Sequence, residues 1–150
     1  MTEHREGEPI EILLVEDNPG DVRLTKEAFR EGGINNTLHV VSDGEAALDF
    51  LFQRGEYEDA TRPHLVLLDL NLPKLDGHDV LERIRADDDL HRLPVIILTS
   101  SESERDVVES YERNSNAYLT KPVRPNDFID LVQTFEEFWL TLVRLPPRPE

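Results

Sequence analysis

Apolar residues along the chain gather in five short runs: Ile12 to Val15, Leu38 to Val41, Leu65 to Leu68, Val95 to Leu98 and Ala117 to Leu119. Between the runs, apolar residues recur every three or four positions. Runs this short, leucine-rich or β-branched, read as strands buried on both faces, which is the habit of parallel strands. The stretches between them carry a helical period. The first has Asn18 as a capping residue and Pro19 at the first helical position, then Leu24, Ala28 and Phe29, and a stop at Gly32-Gly33. The second starts near Ser42-Asp43, sets Ala47, Phe50 and Leu51 on one face, and ends at Gly55. The third carries Val80, Leu81 and Ile84; the fourth, after Ser100-Ser101, carries Val107, Val108 and Tyr111. The last opens near Pro125 and has the longest stripe, through Phe128, Leu131, Val132, Phe135, Phe138, Trp139 and Leu142.

Strands alternating with helices define an α/β, (βα)5 chain. Right-handed crossovers fold such a chain into one five-stranded parallel sheet with helices on both faces. The domain is expected over residues 10–143, flanked by tails at 1–9 and 144–150, with no output domain and no internal repeat. Pro146, Pro147 and Pro149 keep the last tail from extending the helix. The run Asp87-Asp88-Asp89 lies in one of two long connections and reads as a solvated turn, since consecutive carboxylates in a loop do not converge on one cation.

Charge narrows the function classes. The 150 residues hold 32 acids against 16 Lys plus Arg, a formal charge of −16. Nucleic acid and anionic membrane surfaces are therefore poor partners. Cysteine is absent, which removes disulfides, thiolate nucleophiles and sulfur-ligated metals. Neither a signal peptide nor an apolar run of spanning length is present, so a soluble cytoplasmic protein is expected. The five histidines form no spaced ligand pair. Lysine is scarce: Lys26, Lys74 and Lys121 stand against thirteen arginines.

In an open parallel sheet, chemistry gathers beyond the carboxyl ends of the strands. Glu16 and Asp17 follow the first run, Asp69 ends the third, Thr99 and Ser100 follow the fourth, and Lys121-Pro122 comes just after the fifth. In the flavodoxin-like order 2-1-3-4-5 the first and third strands are neighbours, about 4.8 Å apart. Three carboxylates would then share one small site. Such a set suits a hard divalent cation, with Mg²⁺ the natural candidate. Lys121 is the other available cation, and Thr99 offers a hydroxyl. Singly, an acid at a strand end is often only a turn former; five reactive groups gathered at the ends of four strands are harder to explain that way.

Val15-Glu16-Asp17-Asn18, the segment from Leu67 to Gly77 through Asp69 and Pro73, Ile97-Leu98-Thr99-Ser100, and Tyr118-Leu119-Thr120-Lys121-Pro122 resemble, in order and spacing, the receiver domain of two-component response regulators. The segments Glu16 to Asp21 and Phe138-Trp139-Leu140 further resemble single-domain regulators that serve phytochrome-type histidine kinases. The resemblance implies that Asp69 accepts a phosphoryl group from a sensor histidine kinase. It makes Glu16, Asp17, Asp69 and the Asn71 carbonyl the Mg²⁺ ligands, with Lys121 and Thr99 neutralising phosphoryl oxygens. It assigns Ser100, Asn71 and Ser101 to access and phosphate lifetime, a cis peptide to Pro122, and a paired switch to Thr99 and Tyr118. Without the resemblance, Tyr118 reads equally well as an aromatic half-buried at a sheet edge.

Three rivals remain at this level. A haloacid-dehalogenase-type phosphatase would need a second acid two residues after the nucleophile, where Asn71 stands. A flavin binder would need a phosphate-cradling first loop rather than Glu16-Asp17. A pseudo-receiver would lack part of the acid, hydroxyl and lysine set. The expected protein is thus a phosphoacceptor rather than an enzyme, assisting its own phosphorylation and dephosphorylation and signalling through protein contacts. The extra aromatic stripe at Phe138, Trp139 and Leu142 is expected to make a homodimer contact, and the excess of acid suggests a salt-rich, halophilic cytoplasm.

Overall fold

The computed structural model describes residues 9–70, 72, 75, 77–99 and 117–134. Five parallel strands, β1 (Ile10–Val15), β2 (Asn36–Val41), β3 (Leu65–Asp69), β4 (Val95–Thr99) and β5 (Ala117–Thr120), form one sheet in the order β2-β1-β3-β4-β5. Four described α-helices accompany them: α1 (Pro19–Glu31), α2 (Gly44–Leu51), α3 (Gly77–Ala86) and α4 (Pro125–Thr134). The flavodoxin-like expectation holds. The helical segment expected around Val107 to Tyr111 lies outside the described residues, as do Phe135, Phe138, Trp139 and Leu142.

Strand alternation divides the apolar side chains between two layers. Leu13, Val15, Val66, Leu68, Val95 and Ile97 pack with α2 and α3, while Ile12, Leu14, Leu65, Leu67, Ile96 and Leu98 pack on the other face with Phe29 of α1 and Phe128 of α4. The rings of Phe29 and Phe128 lie 4.6 Å apart and join those two helices. β1, β3 and β4 are buried on both faces as their runs predict, and each extends by a residue or two past the expected limits.

β2 departs from that expectation. It is mostly half-buried, with Val40 exposed, because it is an edge strand with β1 as its one neighbour. α1 begins as expected: Asn18 Oδ1 accepts from the Gly20 and Asp21 amides at 2.8 and 3.1 Å, and Pro19 occupies the first turn. Its inward face, however, is Thr25, Ala28 and Phe29, and Leu24 is 46% exposed. One residue is a 100° step on a helix, which carries Leu24 out of the stripe. α2 is capped by Asp43, whose Oδ1 accepts from the Ala46 amide at 2.7 Å. It ends at Leu51 rather than Gly55; the chain already turns at Gln53, at φ 56°, and Gly55 opens a short 3₁₀ turn. Asp87 Oδ2 accepts from the Asp89 and Leu90 amides, so the acidic run is indeed a turn. Among the described residues no helix is long and apolar enough to cross a membrane.

Candidate functional site

At the carboxyl edge of the sheet, burial continues for one step while the chemistry changes. Leu68 gives way to Asp69, Val15 to Glu16 and Leu98 to Thr99, and all three polar residues are buried. The backbone ladders also continue past the strands. The Glu16 amide donates to Val41 at 3.0 Å and the Lys121 amide to Thr99 at 2.7 Å, which fixes the side-chain roots. The Lys121-Pro122 peptide is cis.

Lys121 Nζ sits at the centre of the acids. It donates to Asp69 Oδ2 at 2.9 Å and to Asp21 Oδ2 at 3.1 Å. It also lies 2.7 Å from Glu16 Oε1 as an ion pair without hydrogen-bond alignment, which leaves that buried oxygen short of a donor. The other Glu16 oxygen accepts the Asn18 amide at 3.2 Å. Carboxylate oxygens of Glu16, Asp17 and Asp69 lie within 4.8 Å of one another, with Asp17 exposed at the mouth. One ammonium cannot balance four carboxylates. At an effective dielectric constant near 20, two unit charges that close repel by about 3–4 kcal/mol.

The protonation state follows. Burial pushes the Glu16 carboxyl up to about 7; the Lys121 ammonium opposes the rise, and Asp69, by hydrogen bond and by charge, adds to it. Burial works against the Lys121 charge, but Glu16 and Asp69 together hold its pKa above the usual lysine range. A buried Glu16 oxygen answered only by the shared Lys121 ammonium, a surplus of negative charge and an all-oxygen donor set fit a hard divalent cation held by Glu16, Asp17 and Asp69.

Thr99 is fully buried, its hydroxyl directed at the Leu119 carbonyl at the 3.5 Å limit of a hydrogen bond. Tyr118, paired in register with Ile97, is half-buried against the layer that α2 and α3 cover. Two glycines let neighbouring backbone approach closely, Gly77 beside Asp69 and Gly44 beside Leu75. A Cβ on Gly77 would lie 2.7 Å from the Asp69 carbonyl oxygen, and one on Gly44 would collide with the Leu75 backbone. The start of α3 can therefore press against the end of β3. Asn71, Ser100 and Ser101 lie outside the described residues.

The sequence reading assigned Asp21 no role in the site, although the signal was available. Asp21 stands four residues before Thr25 and seven before Ala28, both buried, so it lies on the inward face of α1 at the end nearest the strand termini.

Comparison with known proteins agrees with this arrangement. The family model described as "Response regulator receiver domain" matches residues 12–133. Response regulator Rcp1 of Synechocystis sp. is 50% identical over 138 residues, covering 92% of this chain and 94% of that protein. The solved bacteriophytochrome response regulator AtBRR superposes with a TM-score of 0.82 at 44% identity, covering 91% of this chain and 99% of that one. The Mn(2+)-bound form of Rcp1 superposes at 0.70 and 50% identity, covering 92% of this chain and 99% of that one. The phytochrome-type resemblance of the sequence is borne out by these relatives, and neither a phosphatase nor a dead receiver is favoured. The buried acids and their lysine thus stand in a chain that belongs to the response regulator receiver domain family, a phosphoacceptor module of phosphorylation-dependent signalling rather than an enzyme that turns over a substrate.

Proposed function

We propose that Asp69 accepts the phosphoryl group from a phosphohistidine of a sensor kinase of the phytochrome type, with a bound Mg²⁺, and that the phosphorylated domain signals by contact with a further protein. The observation that carries this reading is the Lys121 ammonium, 2.9 Å from the buried Asp69 carboxylate at the carboxyl end of β3. An Asp69 oxygen attacks phosphorus in line, the histidine N–P bond breaks, and the imidazole leaves with the electron pair and picks up a proton. Phosphoryl transfer is largely positioning and neutralisation of the equatorial oxygens. A divalent cation on Glu16, Asp17 and Asp69, with the Asn71 carbonyl as a further ligand, supplies part of that positive charge. Lys121 supplies the rest, and the Thr99 hydroxyl donates once it turns from Leu119.

The same turn is the proposed switch. Thr99 moving toward the phosphoryl group vacates volume that Tyr118 fills from the face it already packs against, which biases the surface around β5 and α4. Hydrolysis of the acyl phosphate resets the domain; Ser100 leaves access to Asp69, and Asn71 and Ser101 tune the lifetime. Phe138, Trp139 and Leu142 form a homodimer contact, which light scattering of Trp139→Ala tests: an unchanged mass refutes it. The protein works in a salt-rich cytoplasm, and its thermal midpoint rises between low and molar KCl; a flat response refutes that. The central claim is tested by incubating the chain with Mg²⁺ and phosphoramidate and weighing it by mass spectrometry. One phosphoryl mass is expected on the wild type and none on Asp69→Asn. An unmodified wild type in the presence of Mg²⁺ overturns the reading.

A further inference from the structure

The position of Lys121 conflicts with a cation in the acid cluster. Its ammonium rests against Glu16 and Asp69, two of the three residues whose oxygens converge. A divalent cation held by those oxygens would face a second cation at contact distance. The ammonium cannot retreat into water either, because the Lys121 side chain is only 13% exposed. Its third partner, Asp21 at 3.1 Å, is the one outside the cluster.

We infer that Asp21 is a positioning residue that takes up the Lys121 ammonium when a divalent cation enters the acid cluster, and holds it beside Asp69 for the incoming phosphoryl group. This rests on the reading of Asp69 and Lys121 proposed above. The backbone around both residues is tied, so only side chains need to shift. The Asp21 amide donates to Asn18 Oδ1 at 3.1 Å, the Asp21 carbonyl accepts from Thr25 Oγ1 at 2.9 Å, and the Lys121 amide donates to Thr99 at 2.7 Å. An ammonium carries three donors, so it can loosen its hold on Glu16 while keeping Asp21. Without Asp21 it must stay on the metal ligands and compete for them. A first-turn acid also favours its own helix through the macrodipole, a bland role that would not depend on Lys121.

A double-mutant cycle separates the two roles. Mn²⁺ binding to the full chain is measured by calorimetry for wild type, Asp21→Asn, Lys121→Met and the double variant, all in metal-free buffer before titration. With Lys121 present, Asp21→Asn should weaken Mn²⁺ about fivefold to tenfold; in the Lys121→Met background the same change should cost less than about twofold. Asp21→Glu should recover most of the loss, because it returns the charge from the same turn. An equal loss in both backgrounds, or none in either, overturns the inference while the phosphoacceptor reading stands. A wild type that binds no Mn²⁺ removes both. Asp21→Asn is isosteric and keeps the backbone bonds of the first turn; should it still fail to fold, Asp21→Ser carries the same cycle.

Discussion

One residue separates two regions that are equally buried and energetically opposite. Leu67 on β3 sits between Leu14 and Ile96 in the middle of the sheet, fully enclosed by apolar neighbours. Asp69, two positions on, is also enclosed, but by acids and a lysine. In the first region burial removes apolar surface from water and stabilises the fold. In the second it strips water from charges, which costs stability and leaves a surplus of buried negative charge that a cation can neutralise. The same strand therefore holds the protein together along its length and carries a buried acid at its tip.

The sharpest way to break this contrast is to cut into each region. Leu67→Ala should lower unfolding free energy by about 3–5 kcal/mol in urea titrations, the usual cost of a buried leucine cavity. The folded fraction should still take phosphate from phosphoramidate at close to the wild-type rate. Lys121→Met should do the reverse, slowing phosphorylation about a hundredfold or more by removing charge stabilisation of the phosphoryl oxygens. Its stability loss should be the smaller of the two, because Glu16, already near 7, can take up a proton. If both variants lost stability and phosphorylation in parallel, tip and strand would not be separable.

The next effect is in pH. The folded protein holds Glu16 at about 7 against an ordinary value of 4.5, so the fold favours the protonated acid. That contribution is fully present below pH 4.5 and is lost as pH rises through about 7. At 1.36 kcal/mol per pKa unit it amounts to at most about 3 kcal/mol. In chelator, wild-type stability minus that of Glu16→Gln should therefore fall across this window. Saturating Mg²⁺ should reverse the slope, because the cation binds the ionised carboxylate. A pH-independent difference would show that Glu16 is solvated like a surface acid.

The core was legible in the sequence because it rests on local rules. Runs such as Val95 to Leu98 admit one reading, and capping by Asn18 with Pro19 marks a helix start without tertiary help. The reactive set, Glu16, Asp17, Asp69, Thr99 and Lys121, was legible through strand ends, and the structure brings all five to one edge of the sheet. Three features escaped because they depend on what lies across from a residue. β2 reads as a buried strand from Leu38 to Val41, but position at the sheet edge, which no local pattern encodes, leaves it half-covered. Gln53 rather than a glycine turns the chain after α2. Asp21 meets Lys121 across one hundred residues, and only the inward face of α1 connects them.

The smallest expected effect concerns that face. Leu24 is 46% exposed, whereas Thr25, its polar neighbour, is buried with its hydroxyl on the Asp21 carbonyl at 2.9 Å. The apolar residue is outside and the polar one inside, because the inward line of α1 leads from Phe29 and Ala28 to the acid site rather than to more core. Leu24→Gln should therefore change stability by no more than about 0.5 kcal/mol, as exposed substitutions do. Thr25→Val keeps shape but removes the hydroxyl that braces Asp21; it should be close to neutral in urea titrations and weaken Mn²⁺ binding by about twofold, a few tenths of a kcal/mol. If Leu24→Gln cost more than Thr25→Val in stability, the outward face of α1 would be covered by another surface in solution, and the division between a stabilising interior and a reactive edge would have to include that surface.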